Sequence, residues 1–196
     1  VGQSNAAANN VEAIDLKVRY QFDLGDIGLD DWGSITVQGA ATKLDVWEYQ
    51  KFVTDDMISP LGKRNRFLGE APPLPELKAN LQLTWVRGNH SASLITRYID
   101  EVEYDGYNWG GSFFDQFPYF TGFDISERDM LRPWTASDVA YNYRGLEVAG
   151  TDVNLTFGAR NVFDRRPQRV NDFAGMESLL YDPRGRLLYG RITIDF

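Results

Sequence analysis

This 196-residue chain has no cysteine, only one histidine and fewer basic than acidic residues. The absence of cysteine excludes both a disulfide framework and any thiolate metal site. The net charge of −8 and the pI near 4.7 argue against a nucleic-acid-binding protein, in which a basic surface is expected. No nucleic-acid partner is therefore expected.

Long apolar runs are also missing, and none approaches the roughly 18 residues of a membrane-spanning helix. Apolar residues instead alternate with polar ones, most regularly in the last ten residues. There, every second position from Leu188 to Phe196 is apolar or glycine, and Arg191 and Asp195 fall between these positions. A period of two predicts a strand with one apolar and one polar face.

The same alternation recurs along the chain. It is regular in three segments, Ile14–Phe22, Leu77–Trp85 and Val153–Ala159, and weaker in three others, Ile35–Leu44, Ser91–Ile99 and Trp134–Arg144. With the last ten residues these segments predict about seven strands, each near the roughly 9–11 residues that a tilted strand needs to cross a bilayer.

Short and long connections alternate between the predicted strands. The short ones are Asp23–Trp32, Gly88–His90 and Gly145–Gly150, and the long ones are Val46–Leu74, Asp100–Pro133 and Val162–Gly185. An up-and-down barrel in an outer membrane has tight turns at its periplasmic rim and long loops at its extracellular rim. A soluble sandwich has mostly short connections. The pattern therefore predicts an all-β, antiparallel, transmembrane β-barrel.

The polar face of these strands indicates the size of the barrel. The residues predicted to point inward are Asp15, Lys17, Arg19, Asn80, Gln82, Asn154, Arg160, Arg191 and Asp195. A polar lining belongs to a wide barrel with a wet or plugged lumen, and bacterial barrels usually have an even number of strands. We therefore expect residues 1–196 to be the C-terminal part of a larger barrel domain. The candidates for interfacial aromatic girdles are Tyr20, Phe22, Trp85, Tyr98, Trp134, Tyr141, Tyr143 and Phe196.

Two short motifs near the C-terminus resemble a known family. The first is Asn161-Val162-Phe163-Asp164 with Pro167, and the second is Tyr181-x-Pro183-x-Gly185-Arg186, followed by a strand that ends in Phe196. In this order they resemble the C-terminus of TonB-dependent outer-membrane receptors. The resemblance implies a 22-stranded barrel in the outer membrane of a Gram-negative bacterium, plugged by an N-terminal domain that is absent here. It also implies uptake of a scarce nutrient, commonly a ferric siderophore and sometimes haem, cobalamin or an oligosaccharide, with energy from the TonB complex acting on the missing N-terminal region.

The motif residues also have a structural interpretation, which we prefer. Asn161 and Asp164 can bond to nearby backbone amides where a strand ends, and Pro167 stops further ladder pairing. Pro183 and Gly185 suit the central positions of a turn, because proline has a fixed φ and glycine adopts a wide range of φ. We expect the motif to anchor loops and guide barrel assembly, through Asn161, Phe163, Asp164, Pro167, Tyr181, Pro183, Gly185, Arg186 and Phe196. Phe196 resembles the terminal signal that barrel-assembly machinery recognises.

Ligand selectivity is expected in the loop Asp100–Pro133, which is dense in aromatic residues. The ligand-binding candidates are Tyr104, Tyr107, Trp109, Phe113, Phe114 and Tyr119. Loops on a rigid scaffold commonly carry binding, and aromatic rings stack on sugars, catecholates or porphyrins. The alternative is that these rings pack the loop internally. Lys63, Arg64 and Arg66 could attract an anionic ligand or lipopolysaccharide, or form a solvated charge cluster.

Catalysis, metal binding and cofactor binding find little support. His90 lies in a tight turn beside Ser91 and Ser93, which is not a catalytic triad, and no P-loop, dinucleotide or zinc signature is present. The carboxylates near Asp100 match no oxygen-ligand loop. We therefore expect no catalytic residue, cofactor or metal. Three alternatives stay open: a porin or autotransporter-type barrel, an outer-membrane enzyme barrel, and a soluble β-sandwich binding module.

Overall fold

The computed structural model describes residues 8–65, 72–104, 130–148, 150–170 and 175–195. These residues form strands and connecting loops, with one 3-10 turn at Leu24–Ile27. The strands are β1 (Ala8–Asp23), β2 (Ser34–Gln50), β3 (Leu77–Arg87), β4 (His90–Ile99), β5 (Val102–Glu103), β6 (Met130–Leu131), β7 (Trp134–Val148), β8 (Thr151–Arg160) and β9 (Leu187–Asp195). No helix in the described part of the chain is long and apolar enough to cross a membrane.

Seven of the strands form one antiparallel sheet in the order β1-β2-β3-β4-β7-β8-β9. Each predicted alternating segment lies in one of these strands, so the all-β, antiparallel prediction is confirmed. The two-residue strands β5 and β6 pair separately, with Val102 opposite Leu131. They are too short to show a period of two, and the sequence did not predict them.

The short and long connections lie at opposite ends of the sheet. Residues 24–33, 88–89 and 149–150 connect strands at one end, called the short-turn end, and residues 51–76, 100–133 and 161–186 connect them at the other, the long-loop end. The predicted alternation of loop lengths therefore holds in the structure.

Three predicted boundaries were wrong. The strand β1 begins at Ala8 rather than Ile14, and two strands are longer at their C-terminal ends, since β2 continues to Gln50 and β7 continues to Val148. Both strands contain a bulge where the prediction stopped. In β2, Leu44 lies opposite Ala13 but Val46 lies opposite Glu12, so one residue is extra. In β7 the register shifts between Tyr143 and Leu146. A bulge interrupts the period of two while the strand continues, so alternation alone ended both strands too early.

The register brings the apolar positions of neighbouring strands together. Val37 lies opposite Leu83, which lies opposite Leu94, and the row continues through Val139 and Ala159 to Leu188. Directly opposed residues share one face of a sheet. We call this side the apolar face. It comprises every second residue, from the first, of 16–22, 35–41, 77–85, 92–98, 135–141, 153–159 and 188–194, and none of these residues is charged.

The two faces differ in how their side chains are satisfied. On the polar face, Thr42 donates to the Asp15 carboxylate at 2.5 Å, and Thr156 donates to Asn142 at 2.8 Å. On the apolar face, large side chains are exposed, with Leu16 at 59% and Ile192 at 69%. Side chains of the polar face therefore hydrogen-bond to one another, whereas large side chains of the apolar face are exposed to solvent.

The buried apolar cluster lies among the long loops. It consists of Val102, Tyr104, Leu131, Trp134, Val170, Leu180 and Tyr181, each at most 7% exposed. We call this cluster the loop core. Ile99 and Ala136 pack against it from the sheet, and the register places both on the polar face. The long loops thus cover the end of the polar face and leave the apolar face open.

Candidate functional site

One buried arginine joins the three long connections. Arg64 follows β2, and its Nε donates to Glu177 in the connection between β8 and β9. Its guanidinium also lies 5.0 Å from the centre of the Tyr104 ring, in the connection between β4 and β7. Arg64 and Glu177 are only 3% and 6% exposed. We call these three residues the Arg64 latch.

The latch corrects one sequence-based interpretation. Arg64 belongs neither to a solvated charge cluster nor to an open anion-attracting surface, because its charge is buried against Glu177. Its backbone is also held, since Arg64 N donates to Glu103 O at 3.0 Å and Glu103 N donates to Gly62 O at 2.7 Å. Arg66 lies outside the described residues. Glu177 lies over a hundred positions from Arg64, so no local pattern indicated the pair.

Asn161 fixes the point where the chain leaves β8. It has a left-handed φ of 48°, which asparagine tolerates better than most residues. Its Oδ1 accepts from Arg165 N and its Nδ2 donates to Arg165 O, both at 2.8 Å. Its own amide donates to Asp138 Oδ1 at 2.8 Å. Asn161 therefore closes a tight loop and ties it to β7.

Asp164 holds the two motifs together. Its Oδ1 accepts from Arg186 N at 2.9 Å, and this bond is the main cause that lowers the pKa of Asp164 below its ordinary value. A side chain at Gly185 would overlap that same carboxylate oxygen. The small residue at Gly185 therefore lets Asp164 reach the amide just before β9 begins.

Tyr181 belongs to the loop core and has a polar anchor. Its ring centre lies 5.2 Å from that of Trp134, and its hydroxyl donates to Arg132 O at 3.0 Å. Burial is the main cause that raises the pKa of Tyr181 to about 12. The neutral phenol therefore links the β8–β9 connection to the segment that enters β7.

The other predicted site residues lie in different surroundings. Pro167 is half-buried, Pro183 and Arg186 are exposed, and Phe163 is 78% exposed. Tyr104 is buried in the loop core under Arg64. Its ring therefore packs the loop internally and is not exposed to a ligand. The remaining predicted residues Tyr107, Trp109, Phe113, Phe114, Tyr119 and Phe196 lie outside the described residues.

Two cavities flank Trp134 near the loop core. The first, of 230 Å³, lies on the polar face, and its charged lining residues are Arg97, Asp138, Arg160, Asp182 and Arg184. Four of these charges form two ion pairs, because Arg97 contacts Asp138 at 2.5 Å and Arg184 contacts Asp182 at 2.7 Å. The bonds from Arg184 hold the pKa of Asp182 near 2. With Arg160 included, the lining has three arginines and two carboxylates.

The second cavity, of 310 Å³, is lined by arginine. Its lining residues are Arg132, Pro133, Trp134, Arg165, Arg166, Pro167, Gln168, Arg169 and Tyr181. No carboxylate is among these described lining residues, although Arg166 lies 3.5 Å from the Asp164 carboxylate. Three of the arginines lie within five residues of the sequence and were visible there, but Arg132 comes from another loop. Only the fold brings the four cations together.

Neither a catalytic centre nor a metal centre emerges from the described geometry. His90 Nδ1 lies 2.6 Å from the Tyr141 hydroxyl, and its ring packs against Tyr143 with 4.9 Å between centres. These residues are at the short-turn end, opposite the loop core. Within the described residues, no group of three or more histidine or carboxylate side chains could hold a metal ion.

Comparison of the chain with protein-family models, with curated proteins and with solved structures found no match in any of the three. Functional inference therefore depends on the residues and geometry described above.

Proposed function

We propose that this chain forms part of a transmembrane β-barrel in the outer membrane of a Gram-negative bacterium. We further propose that the barrel is a TonB-powered receptor that takes up a scarce ligand such as an iron complex. The observation that carries the proposal is the apolar face, which extends over seven strands without a charged residue. Many of its large side chains are exposed, among them Leu16, Phe157 and Ile192, and an exposed apolar patch of this extent favours an apolar environment.

The height of the apolar face supports a bilayer as that environment. On β3, Leu77 and Trp85 lie eight positions apart, which is about 26 Å along the strand at roughly 3.3 Å per residue and about 20 Å in height at the roughly 40° tilt of barrel strands. The apolar band of an outer-membrane barrel is about 25 Å tall and is flanked by aromatic girdles. Trp85 and Tyr141 lie on the lower row with Ala92, and Tyr98 lies near the upper edge. Trp134 corrects the predicted girdle, because it pairs with Ile99 on the polar face and is buried.

Aromatic residues at the short-turn end add to this support. Trp85 Nε1 donates to Trp32 O at 2.8 Å, and the Arg87 guanidinium lies 5.1 Å from the Trp32 ring centre. Tyr20 and Phe22 stack with 5.8 Å between their ring centres. Amphipathic rings and a cation at one level are typical of a membrane–water interface.

The receptor role depends on the motif residues. The order Asn161, Asp164, Pro167, Tyr181, Gly185 and Arg186 before the final strand resembles TonB-dependent receptors. In this proposal the partners are membrane lipid and lipopolysaccharide, the ligand, the TonB complex through a region outside this chain, and the barrel-assembly machinery through the last strand. The long loops cover the end of the polar face, which is consistent with a barrel whose extracellular opening is narrowed by its loops.

Uptake by a deletion strain tests the proposed function. Cells of the source bacterium that lack the gene should accumulate less of one radiolabelled iron complex from a panel of ferric siderophores and haem. Reintroducing the gene should restore uptake, and a protonophore should abolish it, because TonB-driven transport needs energy. Uptake that persists with the protonophore would indicate a porin instead. Unchanged uptake of every complex would contradict the receptor proposal.

Fractionation tests the membrane part separately. The gene product should be found in the outer membrane and should migrate differently in gels with and without boiling, as folded barrels do. A product in the soluble fraction would contradict the barrel, whatever the uptake assay shows.

A further inference from the structure

We infer that a groove on the apolar face binds one membrane phospholipid, with an acyl chain in the groove and the phosphate group beside Arg87. The groove has a volume of 700 Å³ and crosses six strands, from Ile35 on β2 to Leu188 on β9. The inference rests on the barrel part of the proposed function, because it needs the apolar face to contact lipid. It does not depend on the proposed transport.

The shape of the groove comes from small and large side chains in one row of the sheet. Ala92 lies opposite Trp85 on one side and opposite Tyr141 on the other, and all three line the groove. Directly opposed residues share a face, so the small side chain forms the floor and the two rings form the walls. None of the described residues that line the groove is charged, so its interior suits hydrocarbon.

The dimensions of the groove fit a single acyl chain. On each strand the lining spans at most three consecutive residues, which gives a width of about 7 Å at roughly 3.3 Å per residue. Six strands spaced by roughly 4.8 Å give a length of about 24 Å, whereas one leaflet is about 15 Å of a hydrocarbon core roughly 30 Å thick. One extended chain therefore fits, whereas an α-helix, about 10–12 Å across with its side chains, is too wide.

Both walls of the groove are held in place before any lipid binds. Trp85 Nε1 donates to Trp32 O at 2.8 Å, and the Tyr141 hydroxyl lies 2.6 Å from His90 Nδ1. These hydrogen bonds fix the two rings on the side of the groove that faces the short-turn end. Walls that are already ordered reduce the entropic cost of binding.

A cation lies just beyond that side of the groove. Arg87 follows Trp85 by two positions, so it lies on the same face, about 7 Å closer to the short-turn end. Its guanidinium lies 5.1 Å from the centre of the Trp32 ring. A guanidinium over a ring face can still donate from its edge, and its fork of donors matches a phosphate group. The groove and Arg87 therefore complement the apolar and the charged part of one lipid.

The position of Arg87 selects the class of lipid. The short turns of an outer-membrane barrel face the periplasm, and Arg87 immediately precedes one of them. The periplasmic leaflet of the outer membrane consists of glycerophospholipids, whereas lipopolysaccharide lies in the opposite leaflet. The occupant is therefore a glycerophospholipid.

Equilibrium binding to the full gene product in detergent micelles tests the inference, with native mass spectrometry to count bound lipid. The probes are phosphatidylglycerol and a diacylglycerol that has the same acyl chains but no phosphate. Ala92→Leu fills the floor of the groove, and its control, Ala79→Leu, makes the same change on the apolar face outside the groove. Arg87→Gln removes the cation, and its control, Arg19→Gln, removes a cation from the polar face. All four variants should keep the heat-dependent gel migration of the wild type.

The expected result is that Ala92→Leu loses on the order of tenfold in affinity for both probes. Arg87→Gln should lose about fivefold for phosphatidylglycerol and less than about twofold for the diacylglycerol, and both controls should bind as the wild type does. If Ala92→Leu does not fold, the exposed Arg87→Gln variant still decides. Equal losses in the two alanine variants, equal losses of both probes in Arg87→Gln, or no saturable binding to the wild type would overturn the inference.

Failure of this inference is distinguishable from failure of the proposed function. A gene product in the soluble fraction contradicts the barrel itself and this inference with it. An outer-membrane product that binds phosphatidylglycerol without saturation contradicts only the phospholipid site.

Discussion

The sheet and the loop core place their apolar residues in opposite ways. In the strands, Ile14 is 60% exposed and Ile192 is 69% exposed. In the loop core, Val102, Leu131 and Val170 are fully buried. Loops are usually the exposed and polar part of a protein, so the usual arrangement is reversed here.

The described residues therefore divide into a part that buries its apolar side chains and a part that exposes many of them. The loop core has its own apolar centre, and the buried ion pair of the Arg64 latch contacts it through Tyr104. The sheet has hydrogen bonds between side chains of its polar face, whereas many large side chains of its apolar face are exposed. This difference can be tested by disturbing the buried interactions of one part and the exposed face of the other.

The largest expected effect comes from breaking the Arg64 latch. Arg64→Ala leaves Glu177 buried without its cation, and removing one partner of a buried pair costs about 3–5 kcal/mol. The loops should then open far more often while the strands stay paired. Proteinase K should cleave the loops at a rate on the order of a hundredfold or more above the wild type, because cleavage follows the open population.

A double variant distinguishes the effect of an unpaired Glu177 charge on loop opening from the effect of lost side-chain packing. Arg64→Met/Glu177→Leu removes both charges and keeps apolar volume, and such replacements are often neutral for stability. Its cleavage rate should therefore fall back towards the wild type. If the double variant is cleaved as fast as Arg64→Ala, an unpaired Glu177 charge is not the cause.

The next effect concerns the apolar face. Leu83→Arg places a cation on that face, which in a barrel costs about 2–4 kcal/mol near the bilayer midplane. Gln82→Arg adds the same cation to the polar face next to it and should cost little. Urea unfolding of the protein in lipid vesicles measures both. Equal losses would mean that the apolar face does not contact lipid.

The sequence predicted the sheet well because strand formation here depends on a local period. Alternation located all seven strands of the large sheet, and loop lengths predicted which strand ends lie together. It failed at the bulges near Asp45 and Gly145, where an extra residue breaks the period without ending the strand. These errors in the strand boundaries therefore come from local changes in strand geometry.

The candidate site was predicted less well, since it depends on contacts between distant segments. The bond from Arg165 N to Asn161 was expected, because asparagine bonds nearby amides at strand ends. Asp164 instead accepts from Arg186 N, 22 positions away, which local reasoning did not predict. The partnership of Arg64 with Glu177 and the approach of Arg132 to Arg165 have no local signal. Such contacts exist only once the strand order has brought three loops to one end of the sheet.

A smaller effect is expected at Asn161, where the loop core joins the sheet. Asn161→Ala loses both bonds to Arg165 and keeps the left-handed φ of 48°, so it should cost about 1–3 kcal/mol. Asn161→Gly loses the same bonds but relaxes the backbone, so it should cost less. Unfolding of the two variants under identical conditions compares them, and a greater loss for glycine would mean that backbone strain is not involved.

The smallest effect is a pH dependence at Tyr181. Burial raises the pKa of its phenol from 10.0 to about 12, so the folded protein holds this proton more tightly than the unfolded chain. The stabilisation is complete below pH 10 and is lost as the pH rises towards 12. Tyr181→Phe should cost about 1 kcal/mol at neutral pH, because the bond to Arg132 O is lost. The difference in free energy of unfolding between wild type and variant, followed by far-UV circular dichroism, should shrink across that pH range. Groups that titrate in both proteins cancel in this difference, so parallel curves would mean that the loop core does not shield Tyr181 from water.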